Sequence, residues 1–129
     1  MNAQLSLLPA LSLLDVRYDL KPCDVESITE TLAKFPLHIL ELLSAKGTRV
    51  VPLGKGVKYR DASPALKRMG IDVDNWACPP AGLFVVEERS VYARSCSAMT
   101  IAHETGHAID CALGDGVYWS GFTPEVRAA

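Results

Sequence analysis

Apolar positions change their spacing several times along this chain, and each change predicts an element. Residues 1–20 carry a leucine cluster (Leu5, Leu7, Leu8, Leu11, Leu13, Leu14) interrupted by Pro9. They read as a weakly structured leader that packs on the domain. The leader is assigned to 1–22 and a single domain to 23–129. Asp24 is placed to cap a short helix over 25–34. A second helix opens at Phe35-Pro36 and runs to about Ala45, where Gly47 ends it. Its Leu37, Ile39, Leu40, Leu42 and Leu43 fit a helix buried on one side.

The β-branched run 48–53 then predicts a strand, followed by a turn at Gly54-Lys55-Gly56. Val57-Lys58-Tyr59-Arg60 alternates apolar with basic and predicts a second strand. Ser63-Pro64 starts a short helix through Met69, stopped by Gly70. Residues 70–81 form a loop with Trp76 as its expected anchor. Residues 82–86 and 90–94 read as a hairpin turning at Glu87-Glu88-Arg89, which runs directly into a helix over 97–113. The order predicts an α+β fold, a small sheet whose hairpin packs beside that last helix.

The 97–113 helix carries the chemistry. Ser95 and Ser97 are candidate N-caps, Gly114 is a natural C′ residue, and most positions between are apolar. Within it lies His103-Glu104-Thr105-Gly106-His107, an H-E-x-x-H pattern. Residues four apart on a helix lie about 40° apart around its axis, so His103 and His107 project from one face. Two neutral imidazoles there can each give Zn²⁺ a nitrogen at about 2.0–2.1 Å. Glu104 stands one residue further round, where a general base for a metal-activated water belongs. The chain holds three histidines and seven glutamates in 129 residues. Drawn at random from that composition, the pattern would arise in about 0.4% of such chains, so chance explains it poorly. Buried His and Glu side chains would be costly without partners. Gly106, unfavourable by about 1 kcal/mol against Ala inside a helix, suggests a close backbone approach beside the site.

Composition narrows the picture further. At 129 residues and 49% hydrophobic content, one domain with a substantial core is expected. Seven of the basic residues fall in 46–68 (Lys46, Arg49, Lys55, Lys58, Arg60, Lys67, Arg68) against the single acid Asp61. Such a strip lacks the interleaved aromatics of a nucleic-acid stacking surface and is read as a solvated face. Cys23, Cys78, Cys96 and Cys111 contain no C-x-x-C pair, which excludes zinc-ribbon and thioredoxin-like spacings. Their even number permits two disulfides, but free buried thiols are expected. Cys111, one turn beyond His107, is too far along the helix to be a good third ligand. His38 is read as a surface or capping residue. The first twenty residues lack a basic n-region and an Ala-x-Ala site, so no signal peptide is predicted. The location is left unassigned, between the cytoplasm and export by a signal-independent route. No stretch is long enough to span a membrane.

With these pieces placed, residues 35–129 resemble the zinc-peptidase domain of the anthrax lethal-factor type, a group that includes secreted Pro-Pro endopeptidases. The resemblance rests on the 37–47 segment leading into 48–53, on the hairpin, and above all on His103-Glu104-Thr105-Gly106-His107-Ala108-Ile109-Asp110. Tyr118-Trp119-Ser120-Gly121, followed by Pro124 and Arg127, resembles the segment after the motif in bacterial relatives. The resemblance implies zinc on His103 and His107 with Glu104 as base. It also implies a third, glutamate ligand on a later helix, preceded by a tyrosine that steadies the oxyanion. Here the chain departs from the pattern, because that ligand lies well beyond Ala129 in the family. Glu125 is the one glutamate downstream of His107. The third ligand is therefore Glu125 or a residue past the end of a truncated or minimal version. Asp110 is equally a partner for an imidazole N–H or a charge near the helix end, and Tyr118 a transition-state donor or a packing residue.

The expected function is that of a zinc-dependent endopeptidase acting on a peptide or protein, with Glu104 taking a proton from water and delivering it to the leaving amine. The alternative is a zincin-like binding or scaffold module without a third ligand and without turnover. A nucleic-acid-binding domain using residues 46–68 is the weaker rival.

Overall fold

The computed structural model describes residues 3–114 and 126–128, and it has the expected α+β architecture. Helices α1 (Ala3–Leu13), α2 (Pro22–Ala33) and α3 (Leu37–Ala45) lead into strand β1 (Arg49–Pro52). Short helices α4 (Tyr59–Ala62) and α5 (Pro64–Met69) follow. The hairpin strands β2 (Gly82–Val85) and β3 (Ser90–Ala93) come next, then the long helix α6 (Ala98–Leu113) and strand β4 (Val126–Ala128). The strands form one mixed sheet in the order β1-β3-β2-β4. β3 runs parallel to β1, with Val50 opposite Val91, and antiparallel to β2, with Phe84 opposite Val91.

Both faces of this sheet are covered, so β2 and β3 are buried at every position rather than alternately. Val50, Phe84, Val91 and Ala93 turn toward α1, α2, α3 and α6, where they meet Leu13, Ile28, Leu32, Leu40, Leu43, Ile101 and Ala108. Val51, Leu83, Val85 and Tyr92 face the other way, onto Tyr59, Ala62, Ala65, Leu66 and Val73. Period-two alternation thus sorts successive strand residues into two cores, one under the long helices and one under α4 and α5.

Several boundaries follow local chemistry. Ser63 accepts a hydrogen bond from the Leu66 amide at the start of α5, and Gly70 closes that helix at φ 70°. α2 begins earlier than expected, with Lys21 as N-cap and Pro22 at the first turn; Asp24 lies inside that turn rather than capping it. The pre-set φ of proline explains the earlier start.

Three expectations are corrected. Residues 3–13 are helical, not weakly structured, and Ala10 and Leu13 belong to the main core; Leu14 bridges Val50 beside β1. Residues 57–60 do not form a strand, because Tyr59 begins α4. Its amide donates to Asp74 Oδ2 at 2.8 Å and its hydroxyl to the Pro80 carbonyl at 2.7 Å. These remote partners override the alternating pattern. Trp76 does not anchor the 70–81 loop, since it is 46% exposed while Val73 is fully buried.

Candidate metal centre

α6 starts where Ser97 Oγ accepts from the Thr100 amide at 3.3 Å, so Ser97 rather than Ser95 is the N-cap. The helix ends at Gly114, which is its C-cap rather than the C′ residue and has φ −85° and ψ 6° instead of a left-handed conformation. Ile101, Thr105, Ala108, Cys111 and Ala112 seat it against α2, α3, β2 and β3. That seating sets the rotation of the helix and therefore what the motif presents.

The three motif residues converge, but not in equal environments. His103 is exposed, His107 is half-buried and Glu104 is completely buried. The histidine Nε2 atoms lie 3.2 Å apart, with ring centroids 4.8 Å apart and planes at 86°. Two nitrogens each about 2.05 Å from a tetrahedral ion would be separated by about 3.3 Å. The pair therefore has the spacing that one ion requires. The same separation also suits an N–H···N hydrogen bond between the rings. Ligand atoms of His103, Glu104 and His107 all fall within 4.8 Å of one another. The residues could hold a metal ion, and imidazole nitrogens suit several first-row ions besides zinc.

Glu104 is the costly member of the group. Neither carboxylate oxygen has a hydrogen-bond partner among the described residues, and burial pushes its pKa up to about 7. Thr105 Oγ1, next to it, is likewise buried without a partner among them. A buried carboxyl poised near neutrality is suited to exchange a proton.

The close approach expected at Gly106 is elsewhere. A Cβ at Gly106 would meet nothing within 4 Å, whereas one at Gly82 would lie 2.7 Å from Thr100 Cγ2 and 2.8 Å from Glu104 Cγ. The glycine that opens β2 lets the sheet come against the motif. A glycine at the start of a predicted strand was the only sequence signal of this. Tyr59 was not anticipated as a neighbour; burial is the main cause that raises its phenol, and the Glu104 charge adds the smallest contribution. Arg94 lies over the Tyr59 ring, 5.3 Å from its centroid, and pairs with Asp74 at 3.1 Å.

Other candidate residues lie apart. His38 is exposed on α3, and Cys111 is buried in the core beneath α6. The four cysteines form no disulfide, but Cys23 and Cys78 are exposed, contrary to the expectation of buried thiols. Asp110 is half-buried on α6. Tyr118 and Glu125 lie outside the described residues. Both hairpin strands touch α6, and each is paired on both sides, β2 by β3 and β4 and β3 by β1 and β2, so the hairpin offers no open edge beside the motif. In the basic strip, Arg49 pairs with Asp15, Arg60 with Asp72 and Arg68 with Glu87. No helix among the described residues is long and apolar enough to cross a membrane.

No protein-family model, curated protein or solved structure matches this chain.

Proposed function

We propose that this chain is a zinc-dependent peptidase in which His103 and His107 hold the ion and Glu104 is the general base. The observation that carries this reading is the 3.2 Å pair of Nε2 atoms beside a fully buried carboxyl that lacks a described partner. Zinc is preferred among the ions because the motif resembles that of lethal-factor-type zinc peptidases. A bound zinc ion would supply a Lewis acid for the scissile carbonyl and make water a better nucleophile.

The chain's own residues do the rest. Glu104 accepts the proton of the attacking water on a carboxylate oxygen and returns it to the nitrogen of the leaving amine. A pKa raised by burial toward neutrality lets one carboxyl serve both steps. Gly82 packs against its stem, which fixes the carboxyl beside the histidines. The third protein ligand is Glu125 or a residue beyond Ala129.

A second reading is a metal-binding scaffold without turnover. It is favoured by the donor set: among the described residues the group is His103, Glu104 and His107, which leaves only two ligands when Glu104 serves as base. Cleavage of a peptide library by the zinc-loaded protein separates the two. Cleavage that Glu104→Gln abolishes supports the peptidase, and stoichiometric zinc without cleavage supports the scaffold.

A further inference from the structure

We propose that Cys23 and Cys96 are a modification site: a dithiol that small disulfides oxidise to an intramolecular bridge. The bridge would join the first turn of α2 to the segment leading into α6. This proposal is independent of the metal-site reading.

The geometry comes from Ser27. Its hydroxyl donates to the Cys96 carbonyl at 3.0 Å, bringing the α2 surface onto the backbone of Cys96. Cys23 lies four residues before Ser27 on the same helix face, where Cβ atoms are about 5–6 Å apart. Helical side chains lean toward the N-terminus, so Ser27 reaches its partner from the side on which Cys23 stands. The backbone of Cys96 is thus placed beside the face of α2 that carries both Cys23 and Ser27. The Cys96 thiol is pushed up first by burial, then by the Asp24 carboxylate and by Cys23.

Their unequal exposure sets the order of reaction. Cys23 is exposed and Cys96 half-buried, while Cys111 is sealed in the core. The Cys23 thiolate attacks one sulfur of oxidised glutathione, forming a mixed disulfide and releasing one glutathione thiolate. The Cys96 thiolate then attacks Cys23 Sγ and releases the second. Two electrons pass from the protein to the glutathione disulfide, and the two thiol protons end on the two glutathiones. The bridge spans most of the chain, so it should stabilise the folded state by constraining the unfolded one.

The test uses the full chain carrying Cys78→Ser, which removes the other exposed thiol, in an equimolar reduced and oxidised glutathione buffer. The expected product has lost two hydrogens, yields one cross-linked peptide pair containing Cys23 and Cys96, and melts about 5–15 °C higher. Cys96→Ser should stop the reaction at a glutathione adduct on Cys23, and Cys23→Ser should prevent the bridge. Accumulation of the Cys23 adduct with Cys96 intact would overturn the proposal. So would a bridge to Cys111, or a Cys23–Cys96 bridge that fails to raise the melting temperature.

Discussion

Gly82 on β2 and Glu104 on α6 meet so closely that a Cβ on the glycine would fall 2.8 Å from Glu104 Cγ. The sheet therefore reaches the motif helix at the one residue whose burial is most costly. That contact places a carboxyl without a partner among the described residues beside two histidines whose spacing suits a single ion. The proposed chemistry and the stability of the fold are both exposed to test at this junction.

Metal content is the first test. The purified chain should bind about one zinc ion, and His103→Ala or His107→Ala should each remove it, because a site with few protein ligands cannot lose an imidazole. Elemental analysis after reconstitution and desalting measures this directly. Absence of zinc in the unmutated protein would end the metal reading.

Glu104→Gln should retain zinc and lose turnover, since the amide keeps the shape of the side chain but cannot take a proton from water. Peptide cleavage and metal content are measured on the same preparation. Cleavage at the parent rate would remove Glu104 from the mechanism.

Gly82→Ala should destabilise the protein by about 1–3 kcal/mol, because an added methyl must displace Thr100 or Glu104. Denaturant unfolding gives the value. Thr100→Ser in the same chain removes the Cγ2 that lies 2.7 Å away and should recover part of the loss. Additive effects of the two changes would show that the predicted clash is not felt.

Tyr59→Phe should cost about 1 kcal/mol at neutral pH, through loss of the hydroxyl's bond to the Pro80 carbonyl. Burial is the main cause that raises the Tyr59 pKa from 10.0 to about 12. Sign follows from that direction: the unfolded phenol ionises first, so the hydroxyl's contribution is fully present below pH 10 and lost as pH rises through about 12. The stability gap between parent and variant should narrow across that window. A gap that stays constant would mean the phenol does not titrate late.

Glu125→Ala should leave zinc affinity nearly unchanged, because segment 118–127 resembles the part of lethal-factor-type peptidases that precedes their ligand helix. A competition titration decides it; a hundredfold loss of affinity would make Glu125 the third ligand.

Much of this protein was legible in its residues because the deciding interactions are local. α6 and α5 begin at Ser97 and Ser63, whose hydroxyls bond amides three residues on, and the 3.6-residue repeat alone puts His103 and His107 on one face. The hairpin, too, needs only two short strands and the turn between them. What depends on distant partners was not legible. Tyr59 looks like a strand residue until Asp74 and Pro80 take its amide and hydroxyl. Residues 3–13 lack a clear repeat, yet as α1 they complete a core with Leu32, Leu40 and Val50. β1 pairs in parallel with β3 across some forty intervening residues, a choice no local pattern encodes. At the site, residue identity determined which side chains could meet a metal. Only the packing of α6 against β2 decided that Glu104 would be sealed in and His103 left exposed, because helix rotation answers to the whole interface rather than to the motif.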